Sequence, residues 1–224
     1  WLLNGDPTEG ALITLALKAG LERGFEREQL PRTDVIPFES EHRFMATLHH
    51  DHSGRGLIFL KGAPERVLEL CAQQRGQSGD VPLQREHWHA RMEEVAADGM
   101  RLLAVAVREG ADVPRELSFN EIERGGFTLL ALLGLSDPPR EEAIAAVARC
   151  HAAGIRVKMI TGDHAATAKA IGAQLGLGGG LDALTGAEIE QLDDAALQRV
   201  VGDAEIFARA SPQHKLRLVK ALQV

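Results

Sequence analysis

Residues 156–176 read RVKMITGDHAATAKAIGAQLG. Strand-forming residues run into Thr161-Gly162-Asp163, and a helical pattern starts at once. A strand that ends in a tight turn at a helix start sets free backbone N–H groups beside a threonine hydroxyl, which suits a phosphoryl oxygen. The same turn reads equally as a plain helix start, with Asp163 as N-cap of a helix over 163–176. No nucleophile is obvious nearby.

Working outward, PREEAIAAVARCHAAG (139–154) predicts a helix with Glu141 and Glu142 in its first turn, where the helix dipole favours acids. IRVKMIT (155–161) predicts a strand. GLGGGLDALTG (176–186) reads as a flexible link, AEIEQLDDAALQRVV (187–201) as a helix, AEIFARA (204–210) as a short strand and SPQHKLRLVKALQ (211–223) as a helix. Alternating β and α elements signal a parallel, doubly wound sheet, whose ligands sit at the carboxyl ends of the strands.

The first part has a different rhythm. NGDPTEGALITLALKAG (4–20) predicts a helix with Asp6 as N-cap, Pro7 at the first position, Glu9 placed for a capping box, and Gly20 as the stop. RTDVIPFESEHRFMATLHH (32–50) and GLIFLKGAP (56–64) predict strands paired antiparallel across DHSGRG. PERVLELCAQQ (64–74) and REHWHARMEEVAADGM (85–100) predict helices, and RLLAVAVRE (101–109) and FTLLALLGL (127–135) strands. The expected fold class is therefore an α+β antiparallel domain followed by an α/β one, with GLSDPPR as the stiff linker between them.

Composition narrows the function. The 224 residues carry 25 Lys and Arg against 32 Asp and Glu, a net charge of -7, which argues against a nucleic-acid binder. No apolar run reaches the ~18 to 20 residues that span a membrane. There is no signal peptide pattern. The chain opens on Trp1 and breaks off at Val224 inside a helical pattern, which reads as a piece of something longer. Cys71 and Cys150 read as two reduced thiols. The histidines of HHDHSG (49–54) fall on a hairpin tip, and His87 and His89 do not share a helix face, so neither group is expected to hold a metal.

Several residues have two readings each. Lys61 in KGAPE (61–65) ends a strand before a turn, as a cation for a nucleotide phosphate or a solvated turn lysine. Phe38 in PFESEHRF (37–44) is a core residue or a platform for a base, with Arg43 near the same hairpin. Arg209 and Lys215 in FARASPQHK (207–215) are surface charges, or cations that reach the Thr161 turn if the two strands are neighbours.

Five motifs occur in order: GDPTEGAL (5–12), KGAPE (61–65), DPPR (137–140), MITGD (159–163) and FARASPQHK (207–215). The set resembles the P-type cation-transporting ATPases, closest to the calcium-pump-like type 2 branch, over nearly the whole chain. The resemblance implies a nucleotide-binding domain over 1–133. It implies part of a haloacid-dehalogenase-like (Rossmann-type) phosphorylation domain over 134–224. It places Glu9 by the adenine, Phe38 stacked on the base, Lys61 and Gly62 at the pocket, and Arg101 on the phosphates. Arg43 stands where the family often has lysine, which keeps the charge and changes its geometry. Asp137 would lie at the hinge near the ribose. Thr161, Gly162 and Asp163 would surround the γ-phosphate with Arg209, and Lys215 would stabilise charge on the phosphoryl group in transfer. His164 replaces the family's usual asparagine.

The resemblance further implies ATP as ligand, magnesium held by residues absent from this sequence, and a cation carried by membrane helices also absent from it. It implies the cytoplasmic portion of an integral membrane protein of a bacterial plasma membrane. The phosphorylated aspartate of the family's Asp-Lys-Thr-Gly-Thr motif is not in this sequence, so this piece alone is expected to be inactive. The rival readings are a soluble haloacid-dehalogenase-like phosphatase, which needs its own nucleophilic aspartate, and a non-catalytic nucleotide-binding regulator.

Overall fold

The computed structural model describes residues 6–110, 113–179 and 182–223, and the side chain of Arg23 is not described. Gly5 of GDPTEGAL, and Gly180 and Leu181 of the expected link, lie outside them. The chain divides into two compact units. One runs to His89 and takes in Leu102–Leu135; the other is Ala90–Arg101 with Ser136 onward.

The first unit is built on a seven-stranded sheet in the order β1-β2-β3-β6-β7-β4-β5. Its strands are β1 (Arg32–Glu39), β2 (Phe44–His50), β3 (Gly56–Gly62), β4 (Cys71–Gly76), β5 (Gly79–Pro82), β6 (Arg101–Gly110) and β7 (Phe127–Leu135). The helices are α1 (Pro7–Lys18), α2 (Arg23–Gln29), α3 (Pro64–Leu70), the start of α4 (Arg85–Ala97) and α5 (Phe119–Glu123). Strict alternation along β2 and β3 turns Phe44, Ala46, Leu48, Ile58 and Leu60 into the core. Val67 and Leu68 of α3 and Ile122 of α5 are buried with them. Arg66 of α3 lies over the Phe44 ring and pairs with Glu123 of α5.

Three expectations for this unit are corrected. Residues 32–50 form two strands, not one, because the chain turns at Ser40–Arg43, with Arg43 in the left-handed region at φ 58°. The helix from Pro64 stops at Leu70, and Cys71 begins a strand; β4 and β5 form a hairpin that neither propensity nor alternation announced. The sheet is mixed, since β4 runs parallel to β7 while β1–β2, β2–β3, β3–β6 and β4–β5 are antiparallel.

The second unit has a three-stranded parallel sheet in the order β8-β10-β9: β8 (Met159–Ile160), β9 (Leu184–Thr185) and β10 (Ile206–Ala208). Its helices are α6 (Glu141–Ala152), α7 (Ala165–Gln174), α8 (Gly186–Gln191), α9 (Asp194–Val201) and α10 (Pro212–Leu222). Both faces of the sheet are covered. Phe207 packs with Ile189, Leu197, Val201 and Leu218 from α8, α9 and α10. Its neighbours Ile206 and Ala208 point the other way, to Ala168 of α7 and to Leu177.

The expected strand over 155–161 shrinks to two residues, because its partner β10 is only three residues long. Upstream, Lys158 and Arg156 both donate to the Gly202 carbonyl at the C-cap of α9, and Lys158 also to the Ala204 carbonyl beyond it. The expected link contains β9, and the expected helix over 187–201 is two helices. Asp193 caps the second by accepting from the Ala196 N–H.

Candidate functional site

In the first unit, Asp6 caps α1 by accepting from the N–H groups of Thr8 and Glu9. That fixes Glu9 in the first turn, where Lys61 of β3 reaches its carboxylate and closes an ion pair. The carboxylate is thus engaged by the lysine of a distant strand. Lys61 alternates with the core residues Leu60 and Gly62 and is 21% exposed. Gly62 packs without room for a side chain: a Cβ there would stand 2.4 Å from the Arg43 carbonyl oxygen and 2.7 Å from the Phe44 Cα. The Ala63 N–H donates to the same Arg43 carbonyl at 2.9 Å. So the KGA segment and the β1–β2 turn are one construction, with the Arg43 side chain exposed from it. Phe38, near the end of β1, is 60% exposed, whereas Ile36 two positions earlier is buried. An apolar cavity of about 390 Å³ under α1 and α2, lined by Ile13, Leu17, Leu30, His49 and Phe59 among others, has none of the predicted site residues in its lining.

In the second unit, the Thr161 turn is laced to the end of β10. Thr161 N–H donates to the Phe207 carbonyl at 2.8 Å, Ala210 N–H to the Thr161 carbonyl at 2.9 Å, and Arg209 N–H to the Asp163 carbonyl at 3.0 Å. Arg209 sits at φ 52°, a conformation that costs a non-glycine residue energy and that these bonds impose. Its guanidinium lies 3.5 Å from the Gly162 carbonyl oxygen. Lys215 stands exposed in the first turn of α10. Thr161, Gly162, Asp163 and Arg209 therefore gather at the carboxyl ends of two adjacent parallel strands, and Lys215 follows on the next helix.

The Asp163 carboxylate does not cap the helix, contrary to expectation. Thr161 Oγ1 donates to it at 2.7 Å, and the Arg101 guanidinium takes both oxygens, at 2.9 and 3.3 Å. A fork-shaped guanidinium on a carboxylate outcompetes a single backbone N–H. His164 takes over as N-cap of α7, its Nδ1 accepting from the Ala166 N–H at 3.3 Å. The side-chain role left open by the missing asparagine is a cap. Asp137 is exposed in the coil between β7 and α6.

Sequence reasoning missed two residues here. His214, buried beside Lys215, closes a capping box with Ser211. Gly186 comes close enough to the Arg209 carbonyl and the His214 ring that a Cβ would overlap both. The Ser211-Pro212 start was a visible cue to the first; nothing local marks the second. Among the described residues no three His, Cys, Asp or Glu side chains are arranged to hold a metal ion, so magnesium ligands are not assigned to them.

Comparison with known proteins gives a consistent answer. The family model for the P-type ATPase cytoplasmic domain N matches residues 1–142. The chain is 44% identical, over its whole length, to "Probable cation-transporting ATPase F" of Mycobacterium bovis. It is 43% identical to "Cation-transporting ATPase pma1" of Synechocystis and 36% identical to "Calcium-transporting ATPase" of Bacillus subtilis, again over its whole length. In each case it spans 25% of the relative, so the chain covers about a quarter of the length of the curated relatives it matches. None of its described helices is long and apolar enough to cross a membrane.

Proposed function

We propose that this chain, which belongs to the P-type cation-transporting ATPases, is the ATP-handling part of a cation pump in a bacterial membrane. The whole protein would transfer the γ-phosphoryl group of ATP to its own aspartate, in the presence of magnesium, and couple that cycle to cation transport. Residues 1–133 would form the nucleotide-binding domain. Residues 134–224 would form part of a haloacid-dehalogenase-like phosphorylation domain.

One observation carries the reading: Thr161, Asp163 and Arg209, up to 48 positions apart, are brought together by three backbone hydrogen bonds at the strand ends of a parallel sheet. Such a place suits phosphate recognition. Within it, Thr161 would turn its hydroxyl from Asp163 to a phosphoryl oxygen, beside the Gly162 N–H. Arg209 and Lys215 would balance the charge that spreads over the phosphoryl oxygens in transfer. Arg101, paired with Asp163, would exchange that contact for the phosphates. In the first unit, exposed Phe38 would stack on the base, with Glu9, Lys61, Gly62 and Arg43 around it; Asp137, of the second unit, would serve the ribose.

Titration of ATP against this chain by calorimetry tests the reading. Saturable binding is expected, with AMP retaining a good part of it, because the base contacts contribute more than the phosphate contacts. Failure of Lys61→Ala and Phe38→Ala together to weaken ATP would refute the assignment of the first unit.

A further inference from the structure

We propose that His214 is a positioning residue: it ties α8 to α10 and thereby sets where the Lys215 ammonium points. The inference rests on the reading of Lys215 as a cation for the phosphoryl group.

His214 is 8% exposed, and both ring nitrogens are engaged. Nδ1 accepts from the Ser211 N–H at 3.1 Å. The ring proton must then lie on Nε2, where it is donated to Glu190 Oε1 at 2.9 Å. Ser211 Oγ accepts in return from the His214 N–H at 3.2 Å. A capping box needs only the first of these ring contacts, and glutamine or glutamate commonly supplies it. The imidazole adds a second nitrogen at a fixed angle to the first, and that nitrogen reaches α8. The same helix starts at Gly186, where a Cβ would stand 2.3 Å from the Arg209 carbonyl oxygen and 2.7 Å from His214 Nδ1. One helix thus abuts the segment that carries Arg209 and the ring next to Lys215. The two cations are indexed to a common support, as the ligands of a site are indexed by the groups behind them.

A cation held only by its own flexible chain loses effect when its base shifts, and a misplacement of about 1 Å can cost roughly a hundredfold in rate. Glu190 provides the clean probe, because it is 69% exposed and touches the His214 ring. Glu190→Gln keeps an acceptor for Nε2–H; Glu190→Ala removes it; His214→Gln keeps the capping box and removes the reach to α8.

The test uses the full-length ATPase that carries this chain, following acid-quenched phosphoenzyme formation from γ-labelled ATP against ATP concentration. In Glu190→Ala and His214→Gln the rate at saturating ATP is expected to fall roughly tenfold, with the half-saturating ATP concentration and the unfolding temperature unchanged. Glu190→Gln is expected to stay at the wild-type rate. Wild-type rates in Glu190→Ala overturn the proposal, as does a rate loss that travels with ATP affinity or with unfolding temperature. If the wild-type protein takes no label at all, the pump reading fails first and the role of His214 falls with it; a labelled wild type with unaffected variants refutes the positioning role alone.

Discussion

Lys61 and Glu9, 52 positions apart in the chain, form an ion pair that joins the first turn of α1 to β3. Glu9 is half exposed, so the pair sits in solvent and contributes at most about 1 kcal/mol to stability. Its proposed importance is for binding. Glu9→Gln should shift the unfolding temperature by no more than about 2–4 °C, while Lys61→Ala should weaken ATP. Calorimetric unfolding and ATP titration of the same two variants check both halves. A large stability loss in Lys61→Ala would turn the pair into a structural strut.

Phe38 and Ile36 lie on one strand with opposite exposure, and so separate binding from folding. Phe38→Ala removes a side chain that is already 60% exposed, so the fold should barely notice. ATP should weaken several-fold to over a hundredfold, since base–aromatic stacking is worth roughly 1–3 kcal/mol. Ile36→Ala empties a buried position and should cost about 2–5 kcal/mol. Urea unfolding of both variants, with ATP titration of Phe38→Ala, distinguishes a platform from a core residue.

The acid side of the stability curve should carry the mark of the Thr185–Glu188 capping box. Glu188 accepts from the Thr185 hydroxyl and then from its N–H, and these bonds hold its carboxyl below the ordinary glutamate range. A depressed folded-state value contributes stability that is present above the unfolded value and is lost as pH falls through the folded one. Thr185→Ala should therefore cost about 0.5–2 kcal/mol at neutral pH, and less once the medium is acid enough to protonate Glu188 in either state. Denaturant midpoints at neutral and acid pH measure it; an equal loss at both would leave the carboxylate out of the cap.

What was legible in the sequence is what local chemistry writes there. Asp6-Pro7, DHSGRG and Ser211-Pro212 each announce a start or a turn, and each is found. The turn at Ser40–Arg43 has no glycine, proline or asparagine. Arg43 is kept left-handed by bonds to Glu39 and to Ala63, the second from the residue between β3 and α3. β4 follows a helix without a break, and its strand character comes from pairing with β7, more than fifty residues later. The site shows the same division. That Thr161 and Arg209 meet if their strands are neighbours could be read from pattern, and β8 and β10 are neighbours. The capture of Asp163 by Arg101, which hands the helix cap to His164, spans 62 positions and leaves no local trace.

Cys71 and Cys150 should differ sharply in reactivity. Burial pushes the Cys71 thiol up to about 12, against a smaller opposite pull from Arg85. Alkylation needs the thiolate and access to it. Cys150, on α6, is only partly covered. Iodoacetamide at pH 8 should modify Cys150 in the native protein and both cysteines in urea, which intact-mass spectrometry resolves. Modification of native Cys71 at a similar rate would mean that the α3–β4 junction opens readily.

Phosphoryl transfer of the proposed kind needs an in-line carboxylate, a magnesium ion and cations for the spreading charge. In the proposed reading Lys215, Arg209 and the Thr161 turn would supply the cations and donors. Asp163 is a poor nucleophile, because both its oxygens are engaged by Arg101 and Thr161. Asp137 is exposed but followed by Pro138 and Pro139, with no turn of free N–H groups to cradle a phosphate. The 224-residue chain should therefore bind ATP and neither label itself nor release phosphate above a buffer control. Incubation with γ-labelled ATP and magnesium, followed by acid quench, decides it. A hydroxylamine-sensitive label would identify a carboxylate of this chain as nucleophile, with Asp163→Asn and Asp137→Asn as the first variants to test. Steady phosphate release without a label would favour a phosphatase that uses water, and the transfer roles given to Arg209 and Lys215 would then have to be reassigned to hydrolysis.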